Sequence, residues 1–264
     1  MSSAATVAFA LGAPRSGMAY WWQTFLAMLR WEVGSLRLRL PALAVIQVIA
    51  GAGFVVMMSL LVPGDLPQPV AQYLATGLCV LNLYMLGLMF GPQVLGERRT
   101  AGTYDAMQSL PAPRTASAAA WYVVSLLVGL PGMIVTLAVA GLRYHVEYAV
   151  SPAVIPATLL VTLAATMLGY ALGHSVRSAI VGTMLSQSIN IFSLGFTPMV
   201  FPPERLPGWL QAVNAGLPFE HLSALLRASL TADPVDQLPL SYTVVAAWTL
   251  AFALVAARAI GRRG

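Results

Sequence analysis

Residues 117–141 read SAAAWYVVSLLVGLPGMIVTLAVAG and contain no Asp, Glu, Lys or Arg. A hydrocarbon core about 30 Å thick is crossed by about 20 residues of helix, so this run is long enough to span a membrane. Five further runs match it, at roughly 41–62, 70–92, 153–172, 179–199 and 240–257, and none of them carries those four residue types either. Each is too long and too continuous for a strand of a membrane barrel. The expected fold is therefore an all-α integral membrane protein with six transmembrane helices. Composition agrees: 58% hydrophobic residues, 9% charged residues and a mean hydropathy of +0.78 leave too little polar surface to coat a soluble globule.

All 14 Lys+Arg residues are arginine. With the N-terminus placed in the cytoplasm, every arginine except Arg143, Arg205 and Arg227 falls on the inner side. That asymmetry orients the chain with both termini inside. The sequence pI of about 9.7 is explained by an anionic inner-leaflet surface, without a nucleic-acid partner. The start, MSSAATVAFALGAP, lacks a positive segment and reads as a flexible tail over 1–17 rather than a secretory signal. Residues 18–40 form an amphipathic interface helix, with Trp22, Phe25, Leu29 and Val33 on one face and Arg30, Arg37 and Arg39 marking the polar side. Residues 41–264 are the six-helix domain. Cys79 lies inside the second span and can form no intrachain disulfide.

The longest inner loop, 93–116, holds GERRTAGTYDAMQSLPAPR at 96–114. Its charges read as solvated. A short helix from Thr100 to Ser109 follows Glu97, Arg98 and Arg99 and is ended by Pro111 and Pro113. Such a helix is a handle for a partner; the plainer alternative is a topological clamp by Arg98, Arg99 and Arg114. The spans lack the ionisable groups that ion-coupled carriers keep in the membrane. Without lysine the chain has no P-loop, so ATP and Mg would belong to a separate polypeptide and no cofactor to this one.

Within the spans, neutral polar residues form stripes. Thr183, Ser186, Asn190, Ser193 and Thr197 recur at helical spacing in span five, and Gln72, Thr76 and Cys79 do so in span two, with Asn82 one turn on. A pathway or subunit seam is the functional reading, and interhelical hydrogen bonding the ordinary one. Gly87 with Gly91 and Gly169 with Gly173 have the small-xxx-small spacing of closely packed helices. Between spans five and six, about 200–232, two short helices at Leu206–Ala215 and Phe219–Leu230 are bounded by Pro207 and Pro218, with Trp209, Leu210 and Val213 on one side of the first. They read as an outer re-entrant cap or as a surface hairpin. His145, His174 and His221 are scattered and form no metal or catalytic motif, which disfavours an enzyme; His221 is placed to orient the outer helices.

Two stretches resemble the type-2 ATP-binding-cassette exporter permeases, a family that includes drug, polysaccharide and nodulation-factor exporters. ERRTAGTYDAMQSLPAPR is similar to the family's cytoplasmic Glu-Arg, Gly-Thr, acidic, Pro-then-Arg pattern. FPPERLPGWLQAVNAGLPFEHLSALLRASL is similar to its outer Pro-x-x-x-Leu-Pro-x-Trp-Leu pattern with a second Pro and a closing Leu-Arg. The chain departs from the family at Tyr104, where Leu is frequent, at Asp105, where Glu is, and at NAGLPFEH, where Asn-Pro-Leu is. The resemblance implies a coupling helix between spans two and three, matched by Glu97, Arg98, Arg99, Gly102, Thr103 and Asp105. It also implies an outer re-entrant pair that closes the pathway, matched by Pro203, Leu206, Pro207, Trp209, Leu210, Pro218, Leu226 and Arg227.

The partners it implies are two ATPase subunits and a second permease chain, identical or not, in the bacterial inner membrane. The chain would be a non-enzymatic permease that moves an amphiphilic or lipophilic substrate outward by alternating access, with membrane lipids around it. An ATP-independent channel or carrier with a neutral polar pathway is the alternative. Replacing Glu97 and Arg98 by Ala is expected to uncouple transport while leaving folding largely intact.

Overall fold

The computed structural model describes residues 17–61, 66–108, 112–232, 235 and 237–261. The tail at 1–16, the charges of Asp65, Asp233, Asp236, Arg262 and Arg263, and the expected stop at Ser109 and Pro111 lie outside the described residues.

Among the described residues, six helices are long and apolar enough to cross a membrane: α2 (Leu40–Leu61), α3 (Gln68–Thr100), α5 (Arg114–Tyr144), α6 (Val154–Ser175), α7 (Ala179–Phe196) and α10 (Leu238–Gly261). α1 (Met18–Leu36) precedes them, the short α4 (Thr103–Gln108) follows α3, and α8 (Gly208–Asn214) and α9 (Pro218–Leu230) lie between α7 and α10. No strand occurs among the described residues. The chain is an all-α, multi-pass membrane protein, and each expected span coincides with one helix.

Proline marks many of the helix starts, where its missing N–H is no loss. Pro67 precedes α3, Pro113 precedes α5, Pro207 precedes α8 and Pro218 opens α9.

Burial ranks the helices. In α3, 89% of the most apolar stretch is buried, against 22% in α2, α7 and α10, so α3 is the central column and those three are peripheral. α3 meets α6 through the two glycine pairs. A Cβ on Gly169 would stand 2.0 Å from the Gly87 carbonyl oxygen, and one on Gly91 would stand 2.5 Å from the Gly169 oxygen. The backbones therefore touch, as the small-xxx-small spacing predicts.

α3 meets α7 differently. Pro92 lies inside α3 and has no N–H to donate to Leu88 four residues back. Ser186 of α7 brings its hydroxyl to 3.3 Å from that Leu88 oxygen, while Gly182 packs on the Pro92 ring. Ser193 reaches the Tyr84 hydroxyl at 3.3 Å, and Asn190 lies beside Met89. The span-five stripe thus faces α3. Thr197 is also buried, Thr183 is half-buried, and the exposed face of α7 is Ile180, Met184 and Ile191.

One expectation is corrected, and two helix faces are defined more closely. The loop at 93–116 is much shorter, because α3 runs on as helix to Thr100 and takes Glu97, Arg98 and Arg99 into its last turns. In α1, Trp22 and Val33 are exposed, and the side packed inward is Phe25, Leu29, Glu32 and Leu36. In α8, which starts at Gly208 after a 3-10 turn at Pro203–Arg205, Leu210 is buried while Trp209 and Val213 are exposed; Asn214 is the other buried residue.

Candidate functional site

At the arginine-rich end, three consecutive residues of α3 point about 100° apart around the helix and bind three different elements. Glu97 pairs with exposed Arg39, in the link from α1 to α2. Arg98 forms a two-pronged pair with Glu32 of α1, at 2.9 Å (Nη1 to Oε1) and 2.5 Å (Nη2 to Oε2). Both partners are buried, Glu32 to 2% exposure, so the reading of these charges as solvated is wrong for Arg98. Arg99 donates to the carbonyls of Gly173, at 2.7 Å, and of Val176. It thereby caps the last turn of α6, where unpaired carbonyls and the helix dipole favour a cation.

The chain then turns at Gly102, whose φ of +71° is a conformation that suits glycine. It enters α4, where Thr103 hydrogen-bonds back to the Arg98 carbonyl at 3.2 Å. Tyr104 is buried, with its hydroxyl 2.9 Å from Nδ1 of His174 in α6 and the Arg99 guanidinium over its ring at 4.6 Å. Thr103, Asp105 and Ala106 form the exposed side of α4. The end of α3 is thus a joint that ties α1, α4 and α6 together.

Glu32 and His174 are the members of this joint that sequence reading missed. Glu32 sits on the Phe25, Leu29, Leu36 stripe at helical spacing, and an acidic residue at an inward position of an amphipathic helix signals a buried cation partner. The expectation that replacing Arg98 leaves folding intact is corrected by the same pair, since its loss strands a buried carboxylate.

At the opposite end, α9 is fastened to α3 by Arg227. Its guanidinium lies over the Tyr73 ring at 3.3 Å and donates to Thr76 Oγ1 at 3.2 Å and to the Met199 carbonyl at 3.3 Å. Leu226 beside it is fully buried. His221 joins three segments, with Nδ1 at 3.0 Å from Ser241 Oγ in α10 and Nε2 at 3.0 Å from the Ala215 carbonyl after α8. Gln72 reaches the Glu147 carbonyl, and Asn82 exchanges hydrogen bonds with Gln47 of α2. Pro203 and Leu206 are half-buried, while Pro207 and Trp209 are exposed. A cavity of about 810 Å³ opens among Tyr73, Glu204, Gln211, Glu220, His221 and Arg227.

Burial holds the Glu220 carboxyl above its ordinary 4.5, against the opposing charges of His221 and Arg227, and Glu204 adds to the rise. A raised folded-state value means that the folded chain binds this proton more tightly than the unfolded one. Stability is then expected to fall as pH rises from 4.5 through the raised value. Glu220→Gln should remove that component, giving a flatter melting-temperature profile over the window, measured in detergent. An unchanged profile would count against it.

Among the described residues, no three His, Cys, Asp or Glu side chains stand together as a metal site. Residues 46–258 match the family described as ABC-2 family transporter protein. The chain belongs to that family. It is a permease component of an ABC transporter, a membrane transport protein of a kind that associates with an ABC ATPase. A search of curated proteins finds no match.

Proposed function

We propose that the chain is the membrane subunit of an exporter, in which a separate ATPase holding ATP and Mg drives alternating access and moves an amphiphilic or lipophilic substrate outward. The joint at the end of α3 carries this reading. The exposed α4 is bonded to α6 through Tyr104 and His174 and runs directly from Arg98 and Arg99, which hold α1 and α6. A push on α4 is therefore delivered to three helices at once, which is what biasing a bundle between two states requires.

In this reading the arginine-rich end faces the cytoplasm of a bacterium, both termini lie there, and Thr103 and Asp105 meet the ATPase. Glu97, Arg98, Arg99 and Gly102 pass the motion on. Two permease chains would pair over two ATPases. The segment from Pro203 to Arg227 closes the far end, with Arg227 and His221 as its fastenings. The pathway opens where α7 slides on α3 and frees Ser186, Asn190 and Ser193; their neutral groups suit an amphiphile better than a small ion.

The test is ATPase activity of the partner enzyme in lipid vesicles with and without this chain. The expected result is stimulation by the chain, reduced several-fold by Asp105→Arg, whose exposed position leaves the melting temperature unchanged. An ATPase rate indifferent to the chain, together with ATP-independent flux, would instead fit a channel.

A further inference from the structure

A second cavity, of about 410 Å³, lies at the arginine-rich end and is lined by residues of α1, α3, α4, α5, α6 and α10. Its size is within the roughly 300–1,000 Å³ range of small-ligand sites. Met28, Leu95, Met107 and Ile260 supply an apolar wall. The polar groups on the rest of the lining are mostly engaged. Arg98 is neutralised by Glu32, and Tyr104 bonds to His174.

Two donors stand apart. Trp121 is 2% exposed and stacks on Phe90, yet its indole Nε1 has no hydrogen-bond partner among the described residues. A buried N–H without an acceptor is uncommon and costly. Arg114, the first residue of α5, is exposed and makes no ion pair among the described residues. Its Nη1 reaches the end of α10, close to where a side chain on Gly261 would begin.

Among the described residues of the lining, Arg114 is thus the cation without an ion pair, and it shares the cavity with the unsatisfied Trp121 N–H and an apolar wall. That combination asks for an anion carrying hydrocarbon. It occurs at the first turn of a spanning helix, the depth of lipid headgroups, where basic pockets between helices take up anionic lipid.

We propose that this cavity binds the phosphate headgroup of an anionic phospholipid from the leaflet at the arginine-rich end. Arg114 and the Trp121 N–H are its donors, and the wall at Met28 and Ile260 receives the start of an acyl chain. A lipid held there touches both the Glu32–Arg98 pair and α4, so its presence tunes how firmly α1 and α4 are joined. The site rests on the cavity and its donors, and it stands whether or not α4 is the surface that meets an ATPase.

The test is native mass spectrometry of the purified full chain, titrated with phosphatidylglycerol, with phosphatidylcholine of the same acyl chains, and with inorganic phosphate. One phosphatidylglycerol should be retained per chain, on the order of tenfold more tightly than phosphatidylcholine, whose phosphate is the same but whose choline ammonium offsets that charge and is repelled by Arg114. Arg114→Gln, at an exposed position, should abolish that preference. Trp121→Phe, which keeps a ring and removes the N–H, should weaken retention several-fold. Arg258→Gln, at an exposed position outside the cavity lining, should change nothing. Equal retention of the two lipids, or binding indifferent to both Arg114→Gln and Trp121→Phe, would overturn the proposal. Full displacement of the lipid by millimolar inorganic phosphate would overturn the lipid assignment in favour of a soluble phosphate ligand.

Discussion

Arg98→Ala is expected to destabilise the chain by about 3–5 kcal/mol, the cost of leaving one member of a buried ion pair without its partner. The stranded group is Glu32, 2% exposed. Glu32→Ala strands Arg98 and should cost a similar amount. Replacing both by Leu is expected to recover most of the loss, because a buried pair exchanged for apolar side chains is often close to neutral. The three variants separate stability from transmission. If Arg98 and Glu32 only hold the fold, the double variant regains partner-ATPase stimulation with its melting temperature. If they tie α1 to α3 as the proposed coupling requires, it regains the melting temperature alone. A melting temperature insensitive to Arg98→Ala would contradict the buried pair itself. Glu97 is the contrast: its pair with Arg39 is exposed, and exposed pairs contribute roughly 0–1 kcal/mol, so Glu97→Ala should barely move stability.

The second large effect is expected at the α3–α6 seam. Gly169→Ala places a methyl group 2.0 Å from the Gly87 carbonyl oxygen, a backbone atom that cannot rotate away. The helices must separate, and overpacking of this kind costs about 1–3 kcal/mol, with Val or Leu costing more. Gly53→Ala in α2 meets nothing within 4 Å and should be neutral or stabilising by up to about 1 kcal/mol, as helix propensity favours Ala. Paired thermal melts in detergent read both signs. Equal effects at the two glycines would mean that α3 and α6 do not touch as described.

The spans were legible because a membrane demands long uninterrupted apolar runs, and residues 117–141 or 153–172 satisfy nothing else. The glycine seam was legible for a related reason, since repeated small residues at four-residue spacing have few other uses in a span. The end of α3 was not. Glu97, Arg98 and Arg99 look alike in sequence, and only their angular separation decides that one is exposed, one buried and one placed on α6. The pairing of Glu32 with Arg98 joins residues far apart in the chain, and the stripe that marks Glu32 as inward does not say which cation it meets. The α7 stripe was legible as a face, but the groups it bonds were not: Leu88 accepts from Ser186 because Pro92 withholds its N–H, a dependence between two helices. Tyr104, a departure from the family pattern, gains its reason from His174, whose ring nitrogen its hydroxyl meets. Gly102 was matched by motif, and its positive φ supplies the physical cause.

The most direct test of the account is photo-crosslinking from α4 in native membranes. A photoreactive amino acid is placed at Asp105 on the exposed side of α4 and, separately, at exposed Trp209 on the opposite end, and the adducts are identified by mass. The account predicts a covalent adduct to a P-loop ATPase from position 105 and none from position 209. An ATPase adduct from position 209 alone, or a position 105 that captures no ATPase while the ATPase still co-purifies, would show that α4 is not where the driving subunit docks.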